Sequence, residues 1–458
     1  MDKKTRNMTL HLVSLACITM LASCARYLDV KPDSSLAVPK TLKDLQAILD
    51  NETRRNTSYA YAGDVAADYY YLLEADFNRL NDAFDARNIY LWAPDASADR
   101  DWNNLYLNIF DVNVVLEEAG SAEAGNLTET DRKRIQGTAH FIRGWCFFQL
   151  AQLFAVPFDS GSADQSLGIP LRLSPNIEAP TTRSSLAETY QQIITDLSRA
   201  IDLLPTSSPV AVRPDKAAAH AALARVYLIM GDYQRSLDHA NAALELEDGL
   251  MDFNDLDPLA TKPIEVLNIE VLFHAQIPNG GGGFVTPRAR VDSVLYASYH
   301  DADLRKQVYY RQNADGTYHF KGDYGTNPGI PFAGLATDEL WLIKAECHAR
   351  LSNADLAIES LNTLLVTRWE KSEFIPYQAT DADEALQLII AERNKELAFR
   401  AGIRWSDLRR LNKDPRFAKT LTRSMGSETY TLNPDDARYT FLIPANVVQQ
   451  TGIEQNAR

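Results

Sequence analysis

The sequence predicts a mostly α-helical body: a solenoid of tetratricopeptide-like helix pairs with a loop-rich face that carries short β-strands. Two observations predict the solenoid. Residues 217–248 (AAAHAALARVYLIMGDYQRSLDHANAALELED) set Ala224, Tyr227, Gly231, Tyr233, Ala240, Ala243 and Leu244 at the spacing of a helix pair repeating every ~34 residues. Residues 338–369 repeat that pattern with Ala345, His348, Ser352, Ala357, Leu361 and Leu364. A third observation predicts the face: residues 50–100 and 250–335 lack the period and turn to loops and short strands.

The elements follow in chain order. A charged start (Met1–Arg6) precedes the apolar run MTLHLVSLACITM and then Leu21-Ala22-Ser23-Cys24. A basic head, a short apolar centre and small residues before a cut mark a secretion signal. The run is shorter than the ~20 residues that span a bilayer. A cysteine directly after Leu-Ala-Ser resembles the lipobox of bacterial lipoproteins, which makes Cys24 the expected lipidation site and 1–23 a signal peptide. Residues 95–119 carry Trp102, Leu105, Ile109, Val112 and Leu116 on one helical stripe. A split pair follows, Gly137–Phe154 with Leu186–Leu204, parted by a Pro/Gly/Ser-rich insertion at 158–183. Val266–Ile277 alternates like a strand, Gly280–Gly283 is a flexible break, and Tyr318–Phe320 is a second strand. Ala382–Phe399 pairs with Trp405–Leu411, and Glu428–Leu432 with Tyr439–Ile443 as a hairpin. Each pair hides its apolar face only by stacking on a neighbour. The expected organisation is therefore one domain, 24–458, with helical repeats at 137–248 and 338–411.

Charge narrows the partners. The formal charge is −15, and loss of residues 1–23 takes it to about −17. No Lys/Arg cluster offsets that locally, which argues against nucleic acid and leaves membrane attachment to the acyl chains. Cys146 and Cys347 lie on helical apolar faces, where free cysteine packs as a small hydrophobe.

No catalytic constellation stands out. HExxH and GxSxG are missing, and GGGGF at 280–284 has no Lys-Ser/Thr after it. His140, His220, His239 and His348 fall inside repeat helices as packing or surface residues. Residues Asp252–Asp257 group oxygen donors without the glycine or closing glutamate of a calcium loop; a structural calcium there is the one metal this grouping suggests, and no cofactor is expected. Glu392, Arg393, Glu396, Arg404, Trp405 and Asp407 sit at helical spacing and are expected to form an ion-paired seam locking the last helices to the solenoid.

Nine segments in order carry a resemblance: YLDVKP (27–32) after the lipobox, TLKDLQAILDN (41–51), WNNLYLNIFDVN (102–113), GTAHFIRGWCFFQLAQLFAVPF (137–158), RSSLAETYQQIITDLSRAIDLLP (183–205), RPDKAAAHAALARVYLIMGDY (213–233), DELWLIKAECHARL (338–351), ERNKELAFRAGIRWSDLRRL (392–411) and IPANVVQQTGIEQN (443–456). Together they resemble the SusD/RagB family of outer-membrane nutrient-binding lipoproteins from Bacteroidetes-type bacteria. The chain departs from it at Gly144, where Ala is commoner, and at Arg400-Ala401-Gly402, where Glu-Gly is frequent. The resemblance implies a SusD-like fold and no catalysis. It implies capture of glycan, or in some members peptide, at the cell surface for delivery to a SusC-like TonB-dependent transporter. A scaffold without a small ligand is the rival from another class.

A glycan site needs exposed aromatic planes beside polar side chains, because sugars present apolar C–H faces among hydroxyls. Asp64–Asp95 and Tyr296–Phe332 offer that mixture. The expected ligand residues are Trp92, Tyr70, Tyr324 and Arg311, with Asp68 and Asp95 as polar partners.

Overall fold

Small residues and caps set the helical layer. The structure, a computed structural model, describes residues 39–80, 85–278, 288–326 and 330–458. Helix α1 (Leu42–Leu49) starts at a capping box in which Thr41 and Asp44 exchange hydrogen bonds. Helix α2 (Asp99–Glu118) buries Trp102, Leu105, Ile109 and Val112, the expected stripe. Helix α3 (Glu129–Phe154) begins eight residues before the expected start, because Thr128 and Asp131 form a second capping box. Helix α4 (Leu186–Leu203) completes that pair behind a Ser185–Glu188 box. Gly144 lets the two approach closely: a Cβ there would lie 3.0 Å from Leu197 Cγ.

The next pairs are α5 (Lys216–Met230) with α6 (Tyr233–Leu244), and α7 (Thr337–Arg350) with α8 (Ala354–Leu365). Gly231, at φ +76°, ends α5 in the left-handed conformation that suits glycine. Helices α9 (Ala382–Glu396) and α10 (Ile403–Leu411) follow. From α2 to α6 each helix packs on the next, α6 packs on α7, and α7 packs on both α8 and α9. The stack is therefore continuous across the loop-rich residues 250–335, and Thr41–Arg458 forms one compact unit.

The strands pair as short antiparallel ribbons. They are β1 (Tyr70–Tyr71) with β5 (Arg290–Val291), β2 (Leu167–Pro170) with β3 (Arg183–Ser185), β4 (Val271–Phe273) with β8 (Leu335–Ala336), β6 (Tyr310–Gln312) with β7 (Tyr318–Phe320), and β9 (Leu421–Met425) with β10 (Glu428–Leu432). Two expectations are corrected. Strand β4 takes only three residues of Val266–Ile277, since Leu267 turns at φ +57° and Glu270 is drawn to the buried Arg368 at 2.7 Å. Strand β10 pairs with β9, not with 439–443. Gly426, at φ +60°, tightens the turn between β9 and β10, whereas Asp436 caps a 3-10 turn at Ala437–Tyr439. The Gly280–Gly283 break lies outside the described residues.

A buried ion network joins the loops to the helices. Arg305 bonds Asp303 (2.7 Å), Glu392 (2.6 Å) and Glu396 (3.0 Å), and Arg368 bonds Glu396 (2.8 Å) and Glu270 (2.7 Å). Arg393 bridges Asp407 (2.8 Å) and Glu339 (3.2 Å). Burial opposes ionisation of Glu392 and Glu396, yet the facing cations outweigh it and hold both below the usual carboxylate range. This is the expected seam with one change: Arg404 leaves it for Asp68. Cys146 and Cys347 are buried free thiols, each pushed up to about 12 by burial.

Candidate functional site

Three stretches far apart in sequence converge on one cleft of about 500 Å³. The segment 68–92 supplies Asp68, Tyr70, Tyr71, Leu72, Tyr90 and Trp92. The start of the short helix Ser293–Ala297 supplies Asp292 and Val294. The approach to β9 and the strand itself supply Lys419–Ser424. The pairing of β1 with β5 brings the first two together, Tyr70 opposite Val291 and Tyr71 opposite Arg290.

The floor is rigid and aromatic. Tyr70 donates its hydroxyl to Val65 O at 2.9 Å, the Tyr90 hydroxyl accepts the Leu72 N–H at 2.9 Å, and Trp92 Nε1 donates to Ala66 O at 2.9 Å. Arg423 lies under them, its guanidinium carbon 3.7 Å from the Tyr90 ring centre and 4.5 Å from that of Trp92. Its N–H groups end on the carbonyls of Val65, Ala66, Ala67 and Tyr90. Burial pulls the Arg423 pKa below its ordinary value, while the surrounding rings oppose that loss of charge. Trp92 itself holds φ +54°, a backbone state that costs a bulky side chain of order 1–3 kcal/mol and persists only where neighbours fix it. Arg438 supplies one such restraint, donating to Trp92 O at 3.0 Å.

The rim is polar. Strand alternation sends Leu421 and Arg423 inward and leaves Thr420, Thr422 and Ser424 exposed along one edge. Arg404 donates to both oxygens of Asp68, and Lys419 Nζ reaches the same carboxylate at 2.7 Å. Burial alone would raise the Asp68 pKa; the two cations outweigh it and hold the carboxyl well below the usual range. Tyr71 stands half-exposed at the mouth beside Val294, which is 76% exposed.

A second aromatic surface adjoins. Tyr296 and Tyr318 stack face to face, ring centres 3.7 Å apart at 17°, and both remain partly open to solvent. Arg290 ties this surface to the cleft, bonding Asp76 at 2.6 Å and Asp315 of the β6–β7 turn at 3.2 Å.

The fold brings Asp68, Tyr70 and Trp92 together in the cleft and places the other expected residues elsewhere. Tyr70 and Trp92, each 4% exposed, are floor and not open platforms, because their polar ends are pinned to backbone. Tyr324 is fully buried: its hydroxyl donates to Glu270 and the Arg400 guanidinium stacks 3.6 Å from its ring centre, so it belongs to the ion network. Arg311 is exposed on β6 and Asp95 is exposed in a loop, both outside the cleft lining. Tyr71 lies in the expected Asp64–Asp95 stretch without being one of the expected ligand residues, and Lys419, Thr422 and Ser424 are lining residues that sequence reasoning missed. The inward–outward alternation of Leu421–Met425 before Gly426 was the available signal.

Two of the three carboxylates in Asp252–Asp257 are engaged locally. Asp252 accepts from Asn254 N (3.0 Å) and Asn254 Nδ2 (2.8 Å) and pairs with Lys371, and Asp257 accepts from Leu259 N. Among the described residues no three His, Cys, Asp or Glu side chains are grouped to hold a metal ion. Cys24 lies outside the described residues, and among those described no helix is long and apolar enough to cross a membrane.

A family profile described as "Starch-binding associating with outer membrane" matches residues 26–228, and the profile of the SusD family matches residues 306–450. The chain belongs to the SusD/RagB family. Membership places it among binding proteins and not enzymes. A relative named SusD-like protein P2, from Formosa agariphila, is 30% identical over 148 residues, 32% of this chain and 27% of that protein. The match thus spans about a quarter of that relative's length. Solved SusD-like structures share the fold. A SusD superfamily protein from Bacteroides thetaiotaomicron gives a TM-score of 0.73 at 21% identity, covering 91% of this chain and 100% of that one. A SusD-like carbohydrate binding protein from Bacteroides vulgatus gives 0.67 at 20% identity, covering 90% and 96%. Surface glycan-binding protein A from Bacteroides fluxus gives 0.69 at 20% identity, covering 91% and 99%.

Proposed function

We propose that this SusD-family chain is a lipoprotein tethered to the outer membrane through Cys24. It binds oligosaccharide in the cleft between Tyr71 and Ser424 and passes it, unaltered, to a SusC-like TonB-dependent transporter. The observation that carries the reading is the half-exposed Tyr71 ring, set on a fixed aromatic floor, beside the exposed hydroxyls of Thr420, Thr422 and Ser424. Sugars are held by such a combination of apolar faces and hydroxyl-bonding edges. The starch-binding description of the matched family, and the carbohydrate-binding names of two structural relatives, support glycan over peptide.

Three assays test the parts. Titration of the mature protein with glycan and peptide panels is expected to give saturable binding to an oligosaccharide. Binding confined to peptides would move the ligand class, and silence across both panels would favour a scaffold. Cys24→Ala is expected to leave the membrane fraction without unfolding; retention there would count against the tether. Co-purification of a SusC-like channel from cells expressing both proteins is expected, and its absence would remove the transporter step.

A further inference from the structure

Positive charge gathers on one ribbon of this acidic protein. Arg311 of β6 stands opposite His319 of β7 in register, on the side away from the buried pair Tyr310 and Phe320. Lys321 lies two residues beyond His319, on the same side by strand alternation. Its ammonium donates to the carbonyls of Pro258 and Ala260, and Lys262 answers by donating to Gly325 O. These reciprocal clasps fix the basic groups on backbone oxygens, which do not cancel their charge. Among the described residues none of Arg311, Lys321 and Lys262 forms a salt bridge, although most of the protein's arginines do. The nearest acids stop short of ion pairs: Asp257 accepts from Leu259 N and acts on Lys321 only through space, and Asp323, which accepts from Gly325 N and Phe332 N, acts likewise on Lys262. His319 is held by Asn313 Oδ1 at 2.7 Å, so its ring stays beside Arg311.

We propose that this face of the β6–β7 ribbon, centred on Arg311, His319 and Lys321, is an anion-binding strip that selects oligosaccharides bearing carboxylate or sulfate groups. The proposal rests on the glycan-binding reading above and adds the chemical class of the glycan. Arg311 is exposed, and its planar fork suits a two-oxygen anion. Burial and then the charge of Arg311 lower the pKa of Lys321; for His319, Arg311 and Lys321 act together after burial. An anion seated beside Arg311 and Lys321 would offset their mutual repulsion and favour the protonated form of His319. The Arg290 bridge between Asp76 and Asp315 keeps the ribbon in fixed relation to the cleft.

The test is affinity electrophoresis of the full mature chain through gels containing dextran, dextran sulfate or polygalacturonate, which separates neutral, sulfated and carboxylated ligands. Wild type is expected to bind one or both acidic polymers at least about tenfold more tightly than dextran, and Arg311→Glu to lose that preference at an unchanged melting temperature. Arg311→Lys should keep part of it. Equal retardation of wild type and Arg311→Glu by every polymer, each relative to its own mobility in a polymer-free gel, would overturn the strip. If both bind neutral oligosaccharide equally and show no acid preference, the strip is wrong and the glycan reading survives. If Arg311→Glu abolishes an acid-dependent shift while Tyr71→Ala and Thr422→Val leave every oligosaccharide affinity unchanged, the strip stands and the cleft reading falls.

Discussion

Arg404 donates two hydrogen bonds, of 2.6 and 2.8 Å, to the two carboxylate oxygens of Asp68. Arg404 belongs to α10, so this contact lets the helix that closes the solenoid also fix the rim of the cleft. Lys419 adds a third bond from the segment entering β9. The cleft is thereby framed by three parts of the chain that only the finished fold brings together.

Asp68→Asn should cost about 3 kcal/mol, because it leaves the largely buried Arg404 without its counter-charge. The folded-state pKa of Asp68 is depressed, so its stabilisation is complete above the unfolded value of about 4 and is lost as pH falls through the lower folded value. Chemical denaturation of wild type and variant at several pH values is expected to show the gap at pH 7 and its shrinkage below about pH 4.

Trp92→Ala should destabilise the fold by roughly 3–5 kcal/mol, the cost of truncating a buried aromatic. Its ring lies over Arg423 and its Nε1 bond to Ala66 would be lost as well. Thermal melts check this; a melting temperature within a degree of wild type would show that the ring is not floor.

Tyr71→Ala and Thr422→Val should weaken oligosaccharide binding about tenfold, near 1.4 kcal/mol, with melting temperatures nearly unchanged. Both positions face the cleft from partly or fully exposed sites, so little packing is removed. Calorimetric titration measures the affinity loss.

Arg409→Met should cost about 1–3 kcal/mol for the carbonyls it strands. The buried guanidinium serves Ala151, Gln152 and Ala155 at the end of α3, forms no salt bridge among the described residues, and burial pushes its pKa down to about 10. Hydrogen exchange is expected to accelerate first in the last turn of α3.

The helical layer was legible because its period is local. Ala224, Tyr227 and Gly231 announce a helix pair within one short window, and Trp102 to Val112 mark one face of α2. The start of α3 was not, because Asp131 does the work usually given to glutamate in a capping box. The cleft was half legible: Asp68, Tyr70 and Trp92 came from a visible aromatic run, but the two rings are fixed by Arg423 and the carboxylate by Arg404 and Lys419, all far later in the chain. Tyr324 shows the same limit. Beside polar residues it reads as a platform, and only its contacts with Glu270 and Arg400 reveal a core side chain.

Diffraction from crystals soaked with the tightest-binding oligosaccharide tests the central claim most directly. The sugar is expected intact in the cleft, one face against Tyr71 and its hydroxyls bonded to Thr422 and Ser424. A sugar seated on the helical layer with the cleft empty, or one recovered as cleaved fragments, would contradict the account.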